Sequence, residues 1–179
     1  MIHFGPTFLS KDALAKITFG GIGKNCLIKE NVGFYFTENI FLGSNIRIDD
    51  NVIIIASSSE APVVIDDYVH IASGCYLVGK GGIHIQAHTT LGPNVSIFSA
   101  SDDYTSDYVG GAVSPLPKKL LIDKVDIGPK AIVGTSAVLM PGAKLGENCS
   151  LGALSMLKTK TKKHEIYAGI PAKKICEKK

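Results

Sequence analysis

The sequence predicts an all-β chain wound as a parallel β-helix of about six coils. Three observations carry that reading. An aliphatic residue recurs every six positions from 22 to 151, a period that belongs to solenoids rather than to ordinary sheets or helices. The two positions in the middle of each unit are rich in Asp, Asn, Ser, Pro and Gly, the residues that turn a chain. The composition is 45% hydrophobic but only 7% aromatic, with no Trp. The core must therefore be filled by Ile, Val, Leu and Ala, side chains that suit short strands and narrow spaces.

Residues 1–19 precede the repeat, and the stretch Ser10-Lys-Asp-Ala-Leu-Ala-Lys16 reads as a short helix capped by Ser10. The repeat domain spans 20–175. Its units cover 22–33, 42–53, 65–76 and 85–96 in pairs, then run unbroken from 127 to 156. The first position is always Ile, Leu or Val, as a permanently inward side chain requires. The fifth is mostly small, and Cys26, Cys75 and Cys149 stand there as small buried hydrophobes. A two-residue strand and a turn every six residues cannot extend a sheet sideways. Three such units close a triangular coil whose strands pair with those above and below, and the starts at 22, 42, 65, 85, 127 and 145 mark six coils. Two stretches break the period. The insert at 57–62 is short and carries no chemistry. The stretch at 98–124, acidic at its start and proline-bearing at its end, must leave the prism as a long loop, and loops of that length in compact domains are usually functional or disordered. Residues 176–179 are a tail.

Several function classes are excluded. The net charge is only +3, and all but one of the 19 basic residues are lysines. Arg47 is the single arginine, the residue type preferred for phosphate and base-edge contacts, which argues against nucleic acid. The first nine residues lack a basic region and a long apolar run. The longest aliphatic run, at 52–56, is far short of a membrane span, so no membrane insertion and a cytoplasmic location are expected. The four cysteines form no C-x-x-C pair and read as reduced thiols rather than a disulfide framework or a zinc site.

Three passages resemble a known family: Asn94-Val-Ser-Ile-Phe-Ser-Ala-Ser-Asp-Asp-Tyr104, Gly134-Thr-Ser-Ala-Val-Leu-Met-Pro-Gly142 with Gly152-Ala-Leu-Ser155, and Ala168-Gly-Ile-Pro-Ala-Lys173. With the repeat, they resemble the hexapeptide-repeat acyltransferases, in particular the sugar-acetylating branch of galactoside and maltose acetyltransferases. The resemblance implies a left-handed β-helix, a hand that crossover physics alone would not choose. It also implies acetyl-CoA as co-substrate and a homotrimer whose sites lie between subunits. Asn45-Ile-Arg-Ile-Asp-Asp50 and Tyr68-Val-His-Ile-Ala72 further resemble enzymes that acetylate deoxy amino sugars carried on a nucleotide.

The same resemblance assigns residues. Thr135 and Ala153 stand at the positions that pair with the pantetheine arm of coenzyme A, and Lys158 and Lys173 at those that meet its phosphates. The family's general base, a histidine, falls on Asp102 in this chain. Asp102 or its neighbour Asp103 is then expected to act as base, with a pKa raised toward neutrality by burial against an adjacent subunit. His70 falls at an acceptor-contacting position and is the other candidate base; Tyr104 and His88 are further acceptor contacts. Among these, Asp102 is expected to matter most to turnover, then His70, then Asp103, with His88 near neutral. The carboxylates in place of a histidine favour the amine of a nucleotide-linked amino sugar as acceptor. A galactoside-like sugar hydroxyl is the alternative. A metal enzyme like the γ-class carbonic anhydrases would need His70, His84 and His88 to converge, and a catalytically dead scaffold is the remaining reading. No metal ligand set is assigned.

Overall fold

The computed structural model describes residues 7–107 and 118–178. Residues 1–6 of the N-terminal segment, 108–117 of the long loop and Lys179 of the tail lie outside the described residues. Helix α1 (Lys11–Ala15) is capped by Ser10, whose hydroxyl accepts the Ala13 amide at 3.1 Å.

The first coil is built from β1 (Gly21–Ile22), β2 (Leu27–Ile28) and β3 (Gly33–Tyr35), and the second from β4 (Ile40–Leu42), β5 (Arg47–Ile48) and β6 (Ile53–Ile55). The third holds β7 (Val63–Ile65), β8 (His70–Ile71) and β9 (Tyr76–Val78), the fourth β10 (Ile83–Ile85), β11 (Thr90–Leu91) and β12 (Ser96–Phe98). Strands β13 (Ala100–Asp102) and β14 (Leu120–Ile122) then leave the prism as an arm. The fifth coil is β15 (Val125–Ile127), β16 (Ile132–Val133) and β17 (Val138–Leu139), the sixth β18 (Lys144–Leu145), β19 (Ser150–Leu151) and β20 (Met156–Leu157). Strand β21 (Glu165–Gly169) begins a seventh coil, and β22 (Ala172–Glu177) folds back antiparallel on it.

The result is a three-sided left-handed parallel β-helix. Strands β1, β4, β7, β10, β15 and β18 stack into the first face, β2, β5, β8, β11, β16, β19 and β21 into the second, and β3, β6, β9, β12, β17 and β20 into the third. Within the second face Ile28, Ile48, Ile71, Leu91, Val133 and Leu151 form one inward column, each at most 1% exposed. Ile22 departs from the rule at 41% exposure, whereas Ile28 of the same coil is covered by the N-terminal segment, whose Leu9 amide donates to the Ile28 carbonyl at 2.7 Å. Among inward residues, Thr89 is fully buried at a position mostly held by small apolar residues. Its hydroxyl donates to the Gly128 carbonyl at 3.0 Å, which satisfies it inside the core.

The turn composition has a backbone cause. The fourth position of nearly every unit lies in the left-handed region, with φ of 57° at Asn25, 58° at Asn45, 57° at Asn51 and 57° at Asn94. Asn tolerates that region better than most residues, which explains its recurrence. Tyr68, His88, Lys130 and Leu154 hold the same conformation, at 59°, 60°, 60° and 55°. Where Gly stands at the second position, the coils approach closely enough to crowd a side chain. A Cβ on Gly92 would lie 2.8 Å from the Thr135 amide nitrogen.

Two features go beyond the repeat pattern. The long loop is expected to leave as an irregular excursion. Instead its two legs pair as an antiparallel ladder, Ala100 opposite Ile122 and Asp102 opposite Leu120. The outward side of the third face is largely apolar, carrying Ile53, Tyr76, Val138 and Met156 in one column interrupted by Ser96, with Ile55, Val78 and Phe98 beside it. At the closing end Glu165, 4% exposed, receives Lys174 at 2.7 Å and the Tyr167 hydroxyl at 2.7 Å. Those bonds hold its carboxyl below the usual range and pin the terminal hairpin. Among the described residues no helix is long and apolar enough to cross a membrane.

Because each inward side chain is clamped between rungs, the core cannot collapse around a truncation. Leu77→Ala, between Ile54 and Ile97, should lower stability by about 2–5 kcal/mol, read from the denaturant midpoint.

Candidate active site

The hexad register places the sequence-predicted residues on the edges and faces of the prism. Thr135 lies on the edge between the second and third faces in the fifth coil, and Ala153 lies directly above it, linked through the Leu154 amide donating to the Thr135 carbonyl at 2.9 Å. Among the described residues, the amides of Thr135 and Ala153 donate to no group of the chain. Lys173 pairs with Ala168 across the terminal hairpin. Ala168 sits over Gly152, 3.0 Å from where a Cβ would stand. Thr135, Ala153 and Lys173 therefore line one edge over three successive coils. Lys173 is exposed and, among the described residues, ion-paired with nothing. Lys158 does not join this line. It follows β20 on the third face, exposed.

On the second face, two coils below Thr135, His70 stands in register with Arg47 below and Thr90 above. Its Nε2 lies 2.8 Å from Asp49 Oδ2, and Arg47 Nε lies 2.7 Å from Asp49 Oδ1. The Asp49 side chain is 12% exposed and that of His70 38%. Burial pushes the Asp49 carboxyl up, but the bonds from His70 and Arg47 outweigh it, and the group is held below its ordinary value. A carboxylate so held accepts only, so the ring nitrogen that faces it, His70 Nε2, is the donor of that bond. Sequence reasoning named His70 but missed Asp49 and Arg47. The signal was present. Counting hexads puts the chain's single arginine directly under His70, and an acid stands at a position usually held by Gly.

The arm carries the other candidates. Asp102 Oδ1 is paired with Lys118 at 2.8 Å. Asp103 is 6% exposed, accepts the Thr105 hydroxyl at 2.6 Å and the Thr105 amide at 3.1 Å, and pairs with Lys119 at 3.0 Å. This corrects the expectation of a raised pKa at Asp103. Thr105 and Lys119 hold its carboxyl down to about 2, so it closes a turn of the arm. Its folded value lies below the ordinary 3.8, so its contribution to arm stability is complete above that pH and is lost as pH falls through about 2. The Thr105 amide resonance should accordingly titrate with a midpoint near 2; a midpoint at the ordinary carboxyl value would show an unengaged side chain.

Tyr104 is 78% exposed and accepts a bond from the Ser101 hydroxyl at 3.0 Å. His88 stands on the edge between the first and second faces, its ring stacked on Tyr68 with centroids 4.8 Å apart. The three histidines of the metal reading lie on different surfaces. His70 pairs with Asp49, His84 on the first face pairs with Asp66 at 3.1 Å, and His88 stacks on Tyr68. Among the described residues no three His, Cys, Asp or Glu converge.

One chain brings Thr135, Ala153, Lys173 and, two coils below, His70 to one side of the prism. It does not bring Asp102 there, because the arm departs from a different edge, between the third and first faces.

No family model matches the chain. It is 33% identical over 171 residues, 95% of this chain and 88% of the relative, to a dTDP-4-amino-4,6-dideoxy-D-glucose acyltransferase of Escherichia coli. A galactoside O-acetyltransferase of Escherichia coli K12 is 25% identical over 98% of this chain and 72% of the relative. Among solved structures, a point variant of AntD, an N-acyltransferase from Bacillus cereus in complex with dTDP and coenzyme A, superposes with a TM-score of 0.90 at 31% identity, covering 97% of this chain and 91% of that one.

Proposed function

The chain belongs to the left-handed β-helix sugar acyltransferases, and on that premise we propose that it transfers an acetyl group from acetyl-CoA to the amino group of a dTDP-linked dideoxy amino sugar. The observation that carries this is the line of Thr135, Ala153 and Lys173 along one edge, with His70 on the adjoining face. The relative that acts on dTDP-4-amino-4,6-dideoxy-D-glucose and the AntD complexes with dTDP and coenzyme A or 3-hydroxybutyryl-CoA support the acceptor and donor classes.

The reaction needs two partners held together and one proton removed. Coenzyme A lies along the edge, its amide arm against the open backbone groups of Thr135 and Ala153 and its phosphates toward Lys173. The acceptor lies against the second face. Nδ1 of His70 takes a proton from the acceptor nitrogen as that nitrogen forms its bond to the thioester carbon. The C–S bond then breaks, and the thiolate of coenzyme A leaves and is protonated. Asp102, already paired with Lys118, serves as a contact to the acceptor sugar from a neighbouring arm. Tyr104 of that arm is a further acceptor contact, and Lys158, outside the line of Thr135, Ala153 and Lys173, adds positive charge toward the coenzyme A phosphates.

The enzyme acts as a homotrimer in the cytoplasm. The apolar outward third face, flanked by Leu121 and Ile122 of the arm at 48% and 49% exposure, supports assembly with a copy of itself. Four free thiols support a reducing compartment.

A panel of dTDP-amino sugars and plain galactosides, assayed by release of the coenzyme A thiol, tests the acceptor. Faster turnover of galactosides would overturn the amine reading. Lys173→Ala should raise KM for acetyl-CoA roughly fivefold with little change in kcat, the loss of about 1 kcal/mol from an exposed charge contact, and activity should persist in EDTA. A main effect on kcat would count against the cofactor assignment.

A further inference from the structure

The acceptor side holds a side chain that nothing in the proposed chemistry yet uses. Asp49 is nearly buried, lies on the coil below His70, and spends both carboxylate oxygens on defined partners: Oδ2 on His70 Nε2 at 2.8 Å and Oδ1 on Arg47 Nε at 2.7 Å. Arg47 in turn lies over the Phe8 ring, 5.9 Å from its centroid, and Lys29 lies over the same ring at 4.5 Å. The chain therefore fixes the guanidinium, the guanidinium fixes the carboxylate, and the carboxylate fixes the imidazole.

We infer that Asp49 is a positioning residue for His70, locking the neutral imidazole as its Nε2–H tautomer so that Nδ1 is the basic nitrogen. The inference deepens the proposed function, since it rests on His70 as the group that takes the acceptor's proton. A free imidazole interconverts between two tautomers, and only one of them is a base at Nδ1. An ionised carboxylate at one ring nitrogen removes the choice and supports the positive ring formed after proton transfer. Arg47 keeps Asp49 ionised and stops it rotating away. Replacing the carboxylate by an amide of the same shape lets an N–H donate to Nε2. The proton then moves to Nδ1, and the base is lost without any change of packing.

The test uses the full-length protein labelled with 15N in its histidines. In the unaltered enzyme the His70 nitrogen shifts should report a protonated Nε2 and an unprotonated Nδ1 at neutral pH. In Asp49→Asn the pattern should reverse or average, and kcat should fall by about 10²-fold or more, with both KM values changed much less. Asp49→Glu, which keeps the charge, should recover part of kcat. A wild-type His70 protonated on Nδ1 overturns the inference, as does an Asp49→Asn enzyme that keeps both the tautomer and kcat. The wild-type spectrum decides even if the variants do not fold. His70→Asn separates the two levels. If it keeps full kcat while the tautomer still follows Asp49, the base role of His70 fails and the positioning by Asp49 stands.

Discussion

His70→Asn should lower kcat by about 10²- to 10⁴-fold, the range that a positioned base contributes, while leaving KM for acetyl-CoA nearly unchanged. The split follows from the layout. His70 sits on the second face in the third coil, and Thr135 and Ala153 sit two and three coils away along the edge. At the spacing of paired strands, two coils are about 10 Å, so the cofactor contacts do not depend on the imidazole. The asparagine keeps a similar shape and can still bond Asp49, so a loss of turnover reports basicity rather than packing. Asp102→Asn should cost less, because Lys118 already holds that carboxylate at 2.8 Å. The order is the reverse of the one the sequence suggests. An enzyme in which Asp102→Asn loses more turnover than His70→Asn restores the carboxylate as base.

Val138→Glu should convert the assembly to inactive monomers, as measured by light scattering and by thiol release. Val138 points outward from the third face between Ser96 and Met156, so the prism itself loses nothing and should keep its circular dichroism. The glutamate would instead place a charge on the apolar surface formed with Ile53, Tyr76 and Phe98. Burying it unpaired costs several kcal/mol, or leaves the interface unformed. Activity should go with the assembly, because in the proposed function the arm of one subunit completes the site of its neighbour. A Val138→Glu protein that remains trimeric, or a monomer with full turnover, would refute this.

The coils were legible in the sequence because inward positions obey one rule whatever the chemistry. Ile48, Ile71 and Leu91 are fully buried, and nothing but a branched aliphatic fits there. The line of Thr135, Ala153 and Lys173 came from resemblance, and the register explains why they share an edge. The dyad was harder to see. Asp49 and His70 lie 21 residues apart, and an insert between their coils hides that they are neighbours. The raised pKa expected of Asp103 was not met, because its carboxyl is engaged within its own turn. The Thr two residues later is the mark of a turn closed by its own side chain, and the structure shows that bond at 2.6 Å. The paired legs of the arm were not legible, since Ala100, Ser101 and Asp102 carry no strand preference and acquire one only opposite Leu120, Leu121 and Ile122.

The insertions all leave from a single edge. The extra residues at 57–62 and the arm both depart between the third face and the first, after β6 and β12, while the other two edges keep a strict six-residue step. The prism thus behaves like a bound book with text added only in the outer margin. The spine carries the stacking, so passages of any length can be written at that margin without shifting the pages. For an engineer this marks where new recognition can be grafted. The short insert after β6 can be exchanged for a longer reader of a different sugar, and the pairing of the coils above and below it is left as it was.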